Sequence, residues 1–501
     1  MYKVQADLVG TGEHCYLYLE RDGRKTTQPD IPDIIHQFDN LIYPKLHDVY
    51  GNEPDWGVGK DSKVHILLLD IRDDWNGSTI TSYIAGYFYP MDQSTTWQYS
   101  NQKNILYMDI YPGSPNPLYP SPLSNRYTIF RHTMAHEFQH MIHWNKTNGR
   151  NVNNKWLNEA MSEVASFYAF NEPSWESVSY FESRDPAYNI TYHSDSLTEW
   201  NSEFADYPVV YMWAQYMADR FDDKSLNHYV FRSILDNNTT NGQGIISVQA
   251  YLDSLNQGFS FASVFRDWSI AVFFGDNNTG TWRTGSTTII NPVSTNNAVW
   301  TYKTINTWPG SYGSYNLPGM FGHAPKYDSF GRPVYNLYGD LNDPGNDLRK
   351  LDPWSLGYYW KTKTSTLGSD SLKWTSGGSK ASLFYNPMGV DTFEFNMISG
   401  NTYTYDDNAY LILQNAQNVS DTPTNQSISQ ASDWVLNTQQ NTLPTPAEKL
   451  RAFSQSAAAL SPPPTRGSVA EPVPVPVCIH DILSQRTEEI QRKMQESKDT
   501  H

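Results

Sequence analysis

Cysteine is nearly missing from this chain: two residues, Cys15 and Cys478, in 501. A bridge between them would tie a strand near the start to a Pro-rich tail, so a disulfide-stapled scaffold is excluded. Basic residues are also scarce, with 36 Lys and Arg against 53 Asp and Glu, a formal net charge of −17. Such a surface repels phosphate backbones and anionic lipid, which argues against nucleic acid and membrane surfaces as partners. No apolar run reaches the roughly 18 residues of a membrane span. The opening MYKVQADLVG holds no apolar stretch of the kind a leader needs, so no signal peptide is expected in it. No internal repeat is visible.

Aromatic residues, in contrast, are abundant at 14%, while charged residues make up 18%. A chain of this length exceeds one ordinary core, and two or three domains are expected. HCYLYLE (14–20) alternates like a strand. DIIHQFDNLIYPKLHDVYG (33–51) spaces its apolar residues as a helix and ends on Gly51. KVHILLLDI (63–71), SYIAGYFYP (82–90) and NILYMDIYP (104–112) read as strands. Helices are expected over about 126–145 and 155–170, and again in four segments between 203 and 275, divided by Gly and Asn. These pieces divide into an α+β part (1–125) and a helical part (126–289). Short alternating segments between Gly, Ser and Asn turns follow over 290–435 and read as an all-β accessory region. The tail (436–501) is rich in Gln, Ser, Ala and Pro and is expected to be extended and mobile.

The chemistry concentrates in TMAHEFQHMIHW (133–144). His136 and His140 stand one helical turn apart, so both imidazoles can reach one metal ion. Glu137 lies beside them. This H-E-x-x-H spacing suits zinc hydrolysis, with the two histidines as ligands and the glutamate as general base. A catalytic zinc needs a third protein ligand and an open position. His143 shares the face but sits about a turn further along, and converging on the same ion would strain it. It reads as a packed neighbour of the site. WLNEAMSE (156–163) is the better source: Glu159 and Glu163 are four apart on one face of the next helix. If that helix runs antiparallel to the first, Glu159 can be the third ligand. Glu163 can then accept the hydrogen bond of a ligand histidine's second nitrogen. An EF-hand test at Asp340, Asn342 and Gly345 fails, because position 5 is Pro344 and position 12 is Leu351. Structural calcium therefore stays open.

AHEFQHMI and WLNEAMSE together resemble the gluzincin pattern of thermolysin-type metallopeptidases, and more closely the hyicolysin-type family of bacterial secreted metallopeptidases. The resemblance takes in FDNLIYPKLHDVYG, KVHILLLDI, IAGYF and DYPVVYMWAQYMADRF, over roughly residues 10–290. It implies one catalytic Zn2+ held by His136, His140 and Glu159, with Glu137 as catalytic base and Glu163 as outer support. The implied fold is an α+β zincin, with a mixed N-terminal sheet and a helical C-terminal half that close on the metal. Related enzymes stabilise the oxyanion with a Tyr or His from a later segment. Tyr192, His193, Tyr207 and Tyr211 are candidates here, and Tyr207 is preferred because it opens a helix just after the ligand helix. The gluzincin layout also implies that the YIAGYF strand rims the cleft and pairs with extended protein or peptide substrates. A monomer acting outside the cell is the expected setting. The alternative reading is a zincin scaffold without turnover that binds a host or matrix protein. The retained Glu137 speaks for the enzyme.

Overall fold

The computed structural model describes residues 2–54, 61–73, 75, 82–114, 124–147, 155–174, 177, 181, 195–200, 206–237, 244–274 and 354–356, and further strands as backbone alone. The first elements are β1 (Ala6–Thr11), β2 (Cys15–Glu20), α1 (Ile31–Gln37) and α2 (Tyr43–Tyr50). Asp30 caps α1, its carboxylate accepting from the Asp33 amide at 3.2 Å. Pro44 cannot donate to the carbonyl four residues back, and the backbone widens into a π turn (Phe38–Ile42) just before it. The single helix expected over 33–51 is thus two helices joined by that turn. It stops at Gly51, whose φ of 104° is open to glycine.

β3 (Val64–Leu69), β4 (Ser82–Phe88) and β5 (Ile105–Asp109) complete the sheet's central strands. Among the described residues, this sheet has the order β1, β2, β3, β5, β4 and then a sixth strand, Val475–Cys478. β2, β3 and β5 run parallel, and β3 is buried on both faces, as a strand between two parallel neighbours must be. β1 and β4 run antiparallel to their partners β2 and β5. The result is a mixed sheet with helices, compatible with an α+β zincin-like domain.

Two strands of this sheet escape the sequence patterns. β1 is an edge strand with Leu8 and Val9 exposed, so it carries no buried alternation. Val475–Cys478 lies in the tail, whose composition predicts only mobile chain. A segment that cannot build a core can still lend backbone donors and acceptors to an open edge. This arrangement also separates the cysteines. β2 and the tail strand lie four strand spacings apart, about 19 Å, beyond the roughly 7 Å between Cα atoms that a disulfide spans.

α3 (Ser124–Lys146) and α4 (Lys155–Phe170) follow. α3 is buried without a break from Met134 to His143 because it lies between the sheet and α4. Tyr50 ties α2 to α4, its hydroxyl donating to the Met161 carbonyl at 2.8 Å. The remaining helices are α5 (Asp206–Phe221), α6 (Val230–Leu235), α7 (Gly244–Ser254) and α8 (Phe261–Phe274). Trp156 of α4 meets Trp213 of α5 edge-on at 5.3 Å, deep in the core. Trp354 closes on Phe261 of α8 at 4.7 Å. Beyond α8, strand Thr281–Thr284 pairs with Asp391–Met397, so the β region draws in a strand from before residue 290. Asn342 and Gly345 of the calcium test lie outside the described residues.

One glycine sets the distance between the sheet and α3. A Cβ on Gly86 would stand 2.8 Å from the Tyr107 carbonyl oxygen and 2.9 Å from Thr133 Cγ2 of α3. Backbone on one side and helix on the other leave no room for either to yield. Gly86→Ala is expected to lower stability by about 1–3 kcal/mol, read as a shift of the urea midpoint. An unchanged midpoint would show that the two layers can part without loss.

Candidate active site

The site is assembled from α3, α4 and the end of β4. Helical spacing puts His136 and His140 on the buried face of α3, with their Nε2 atoms 3.0 Å apart. α4 crosses this face in the opposite sense: its later residues meet the earlier histidine. Glu159 Oε2 lies 3.4 Å from His136 Nε2, and Oε1 lies 3.5 Å from His140 Nε2. Among the described residues, these three side chains form the one group able to hold a metal, with their ligand atoms within 4.8 Å of one another.

The donor set and the triangle both fit zinc. Tetrahedral ligands on bonds of about 2.05 Å stand about 3.3 Å from each other, close to the 3.0, 3.4 and 3.5 Å found. Burial works against the charge on Glu159, yet the two imidazoles outweigh it and hold the carboxyl well below its usual range. An anionic carboxylate sealed at 1% exposure is what a cation at this point requires.

Glu137 is fully buried and lies outside that triangle. Its Oε2 accepts from the Phe88 amide at 2.9 Å, which ties the carboxylate to the end of β4. Burial raises its pKa, opposed by His136 and His140 and reinforced by Glu159. A carboxylate with raised pKa is a stronger proton acceptor at neutral pH than an ordinary surface glutamate.

Each histidine of the pair is gripped on its far nitrogen. Glu163 Oε1 lies 3.2 Å from His136 Nδ1, and Ser177 Oγ donates to Glu163 Oε2 at 3.3 Å. His140 Nδ1 meets Ser162 Oγ at 3.0 Å. The single proton of that hydroxyl has two acceptors nearby, the Gln139 side-chain oxygen and the Asn158 carbonyl. Ser162 can then accept from His140 Nδ1–H, which leaves the Nε2 lone pair for a metal. The sequence alone does not single out Ser162. Its one signal is position: three residues after Glu159, it shares that residue's helix face. Ser162→Ala is expected to weaken zinc binding about 10- to 100-fold, measured by chelator competition on folded protein. Unchanged affinity would remove the serine from the site.

His143 is buried next to His140 but does not join the triangle. Burial, with the neighbouring His140, pushes its pKa down to about 3, so it packs as a neutral ring. Among the described residues, its Nε2 has no hydrogen-bond partner. Of the oxyanion candidates, Tyr192 and His193 lie outside the described residues. Tyr211 is committed to packing: its hydroxyl accepts from the Ser174 amide and donates to Gln215. Tyr207 stands half-buried at the start of α5, edge-on to Trp200 at 5.0 Å. Among the described residues, no helix is long and apolar enough to cross a membrane.

No family model matches the chain. Over 222 residues, 42% of its length, the chain is 30% identical to the neutral metalloprotease ShpI of Staphylococcus hyicus. That stretch is 46% of the relative's own length, so the chain spans about half of the curated relative that it matches. The similarity supports a metalloprotease relationship for the part that it covers.

Proposed function

We propose that this chain is a zinc-dependent endopeptidase of the hyicolysin type, cleaving proteins or peptides outside the cell. His136, His140 and Glu159 hold the ion. The observation that carries the reading is the buried triangle of two imidazoles and one anionic carboxylate, with a second carboxylate beside it. The likeness to a neutral metalloprotease agrees with it. The extracellular setting rests on the wording of AHEFQHMI and WLNEAMSE.

Zinc, when bound, supplies a Lewis acid and lowers the pKa of water. The chain's own residues do the rest. Glu137 takes the proton of the water that attacks the scissile carbonyl, and returns it to the leaving amine. The Phe88 amide keeps that carboxylate aimed while it changes charge. Ser162 and Glu163 hold the two imidazoles in one tautomer and orientation. Tyr207 is assigned to the oxyanion. An extended substrate adds its backbone to the edge of β4, whose last amide already touches the catalytic carboxylate.

Casein cleavage by the purified chain tests the reading. Cleavage is expected with zinc, is lost on chelation and returns on adding zinc back. Cleavage that ignores the chelator sinks it. Tight casein binding without turnover would favour the scaffold alternative.

A further inference from the structure

The edge of β4 is occupied by the protein's own tail. Val475, Pro476 and Val477 pair in parallel with Ser82, Tyr83 and Ile84, and Cys478 pairs with Gly86 across an irregularity. The tail strand runs toward the catalytic end of β4. Its last residue lies opposite Gly86, two positions before Phe88, whose amide holds Glu137.

The sequence around this strand, EPVPVPVC, places Pro at 472, 474 and 476. In an extended chain, backbone groups alternate between the two sides. Within the strand, Pro476 therefore removes the donor from one side and leaves the N–H groups of Val475 and Val477 on the other. Pro476 cannot donate, so the ladder to β4 needs the N–H groups of Val475 and Val477. Tyr83, opposite Pro476, must face the tail strand. The next residue of β4 agrees: the Ile84 N–H is taken by Asp73 Oδ2 at 2.7 Å, on the opposite side. Such a strand can close an edge, and at Pro476 its outer side offers no donor with which to recruit another chain.

We infer that the β4 edge is a docking surface for an extended backbone, and that Val475–Cys478 is its resident occupant, competing with substrate. This rests on the reading of β4 as the rail for an extended peptide. Parallel pairing is slightly weaker per residue than antiparallel, the strand is only four residues long, and Pro476 removes one of its donors. The occupant is thus displaceable, and substrate binding must first remove it.

The test uses the full zinc-loaded chain with Val475→Pro and Val477→Pro together, which deletes both donors. Hydrogen exchange of peptides covering Ser82–Phe88 is expected to quicken in the variant. KM for an extended peptide substrate is expected to fall about fivefold or more, for two ladder bonds lost, with kcat unchanged. Pro476→Val, which adds a donor on the outer side only, is expected to leave both readouts at wild-type values. Unchanged exchange in the double variant overturns the docking. Quickened exchange with an unchanged KM overturns the competition. An effect of Pro476→Val equal to that of the double variant overturns the assignment of the donors. If no form of the chain cleaves peptide although exchange shows the edge bared, both the competition and the peptidase reading fall, while the docking stands.

Discussion

Glu137→Gln is expected to lower kcat on peptide substrates by about 10²- to 10⁴-fold, the usual range for removing a general base. The substitution is close to isosteric. The glutamine oxygen can still accept from the Phe88 amide that now holds Glu137 Oε2, so β4 and α3 stay joined. Glu137 is also outside the group that could hold the ion, so the zinc content of the variant should equal that of wild type. Stability should be equal or higher, because a fully buried carboxylate is replaced by a neutral amide. The diagnostic result is the combination: activity gone, zinc and melting temperature kept. Near-normal turnover in a zinc-replete Glu137→Gln protein would remove this residue from the chemistry. Loss of zinc along with activity would show that it belongs to the metal's own shell.

Glu159→Ala is expected to abolish zinc binding at micromolar concentrations and, with it, the stabilisation that zinc gives wild type. An ion at about a thousand times its dissociation constant stabilises the folded state by about 4 kcal/mol. For a folded body of this size, that is a rise in Tm of roughly 10 °C. Wild type should show this rise between chelated and zinc-loaded protein. Glu159→Ala should show little, since two imidazoles remain and the carboxylate wedged between them is gone. His143→Ala should keep most of the shift, because that ring lies outside the triangle. The reverse pattern, with zinc kept in Glu159→Ala and lost in His143→Ala, would move the third ligand onto α3. Equal melting of chelated and zinc-loaded wild type would show that the site takes no zinc at all.

Much of the candidate site was legible in the sequence, and the reason is local geometry. A helix sets the angle and rise between residues, so His136 and His140 must share a face wherever the helix lies. The same rule placed Glu159 and Glu163 together on α4, and the bounds of that helix were readable from 155 to 170. The strands KVHILLLDI and NILYMDIYP were readable because burial on both faces leaves an unbroken apolar run. β1 was not, because an exposed edge strand has no apolar pattern to show.

The sequence by itself determined which residues could meet within one element, and the order of elements that carries them. Tertiary structure decided which residues meet across elements: Ser162 against His140, the Phe88 amide against Glu137, and His136 as the one of the two ligand histidines that Glu163 takes. Those contacts depend on how deeply α3 and α4 sink toward each other and toward β4, a depth set by the packing of the whole core and by the missing side chain of Gly86. The tail strand is the extreme case. Nearly four hundred residues separate Val475 from Ser82. What joins them is backbone hydrogen bonding, which almost every residue can offer and few side chains announce.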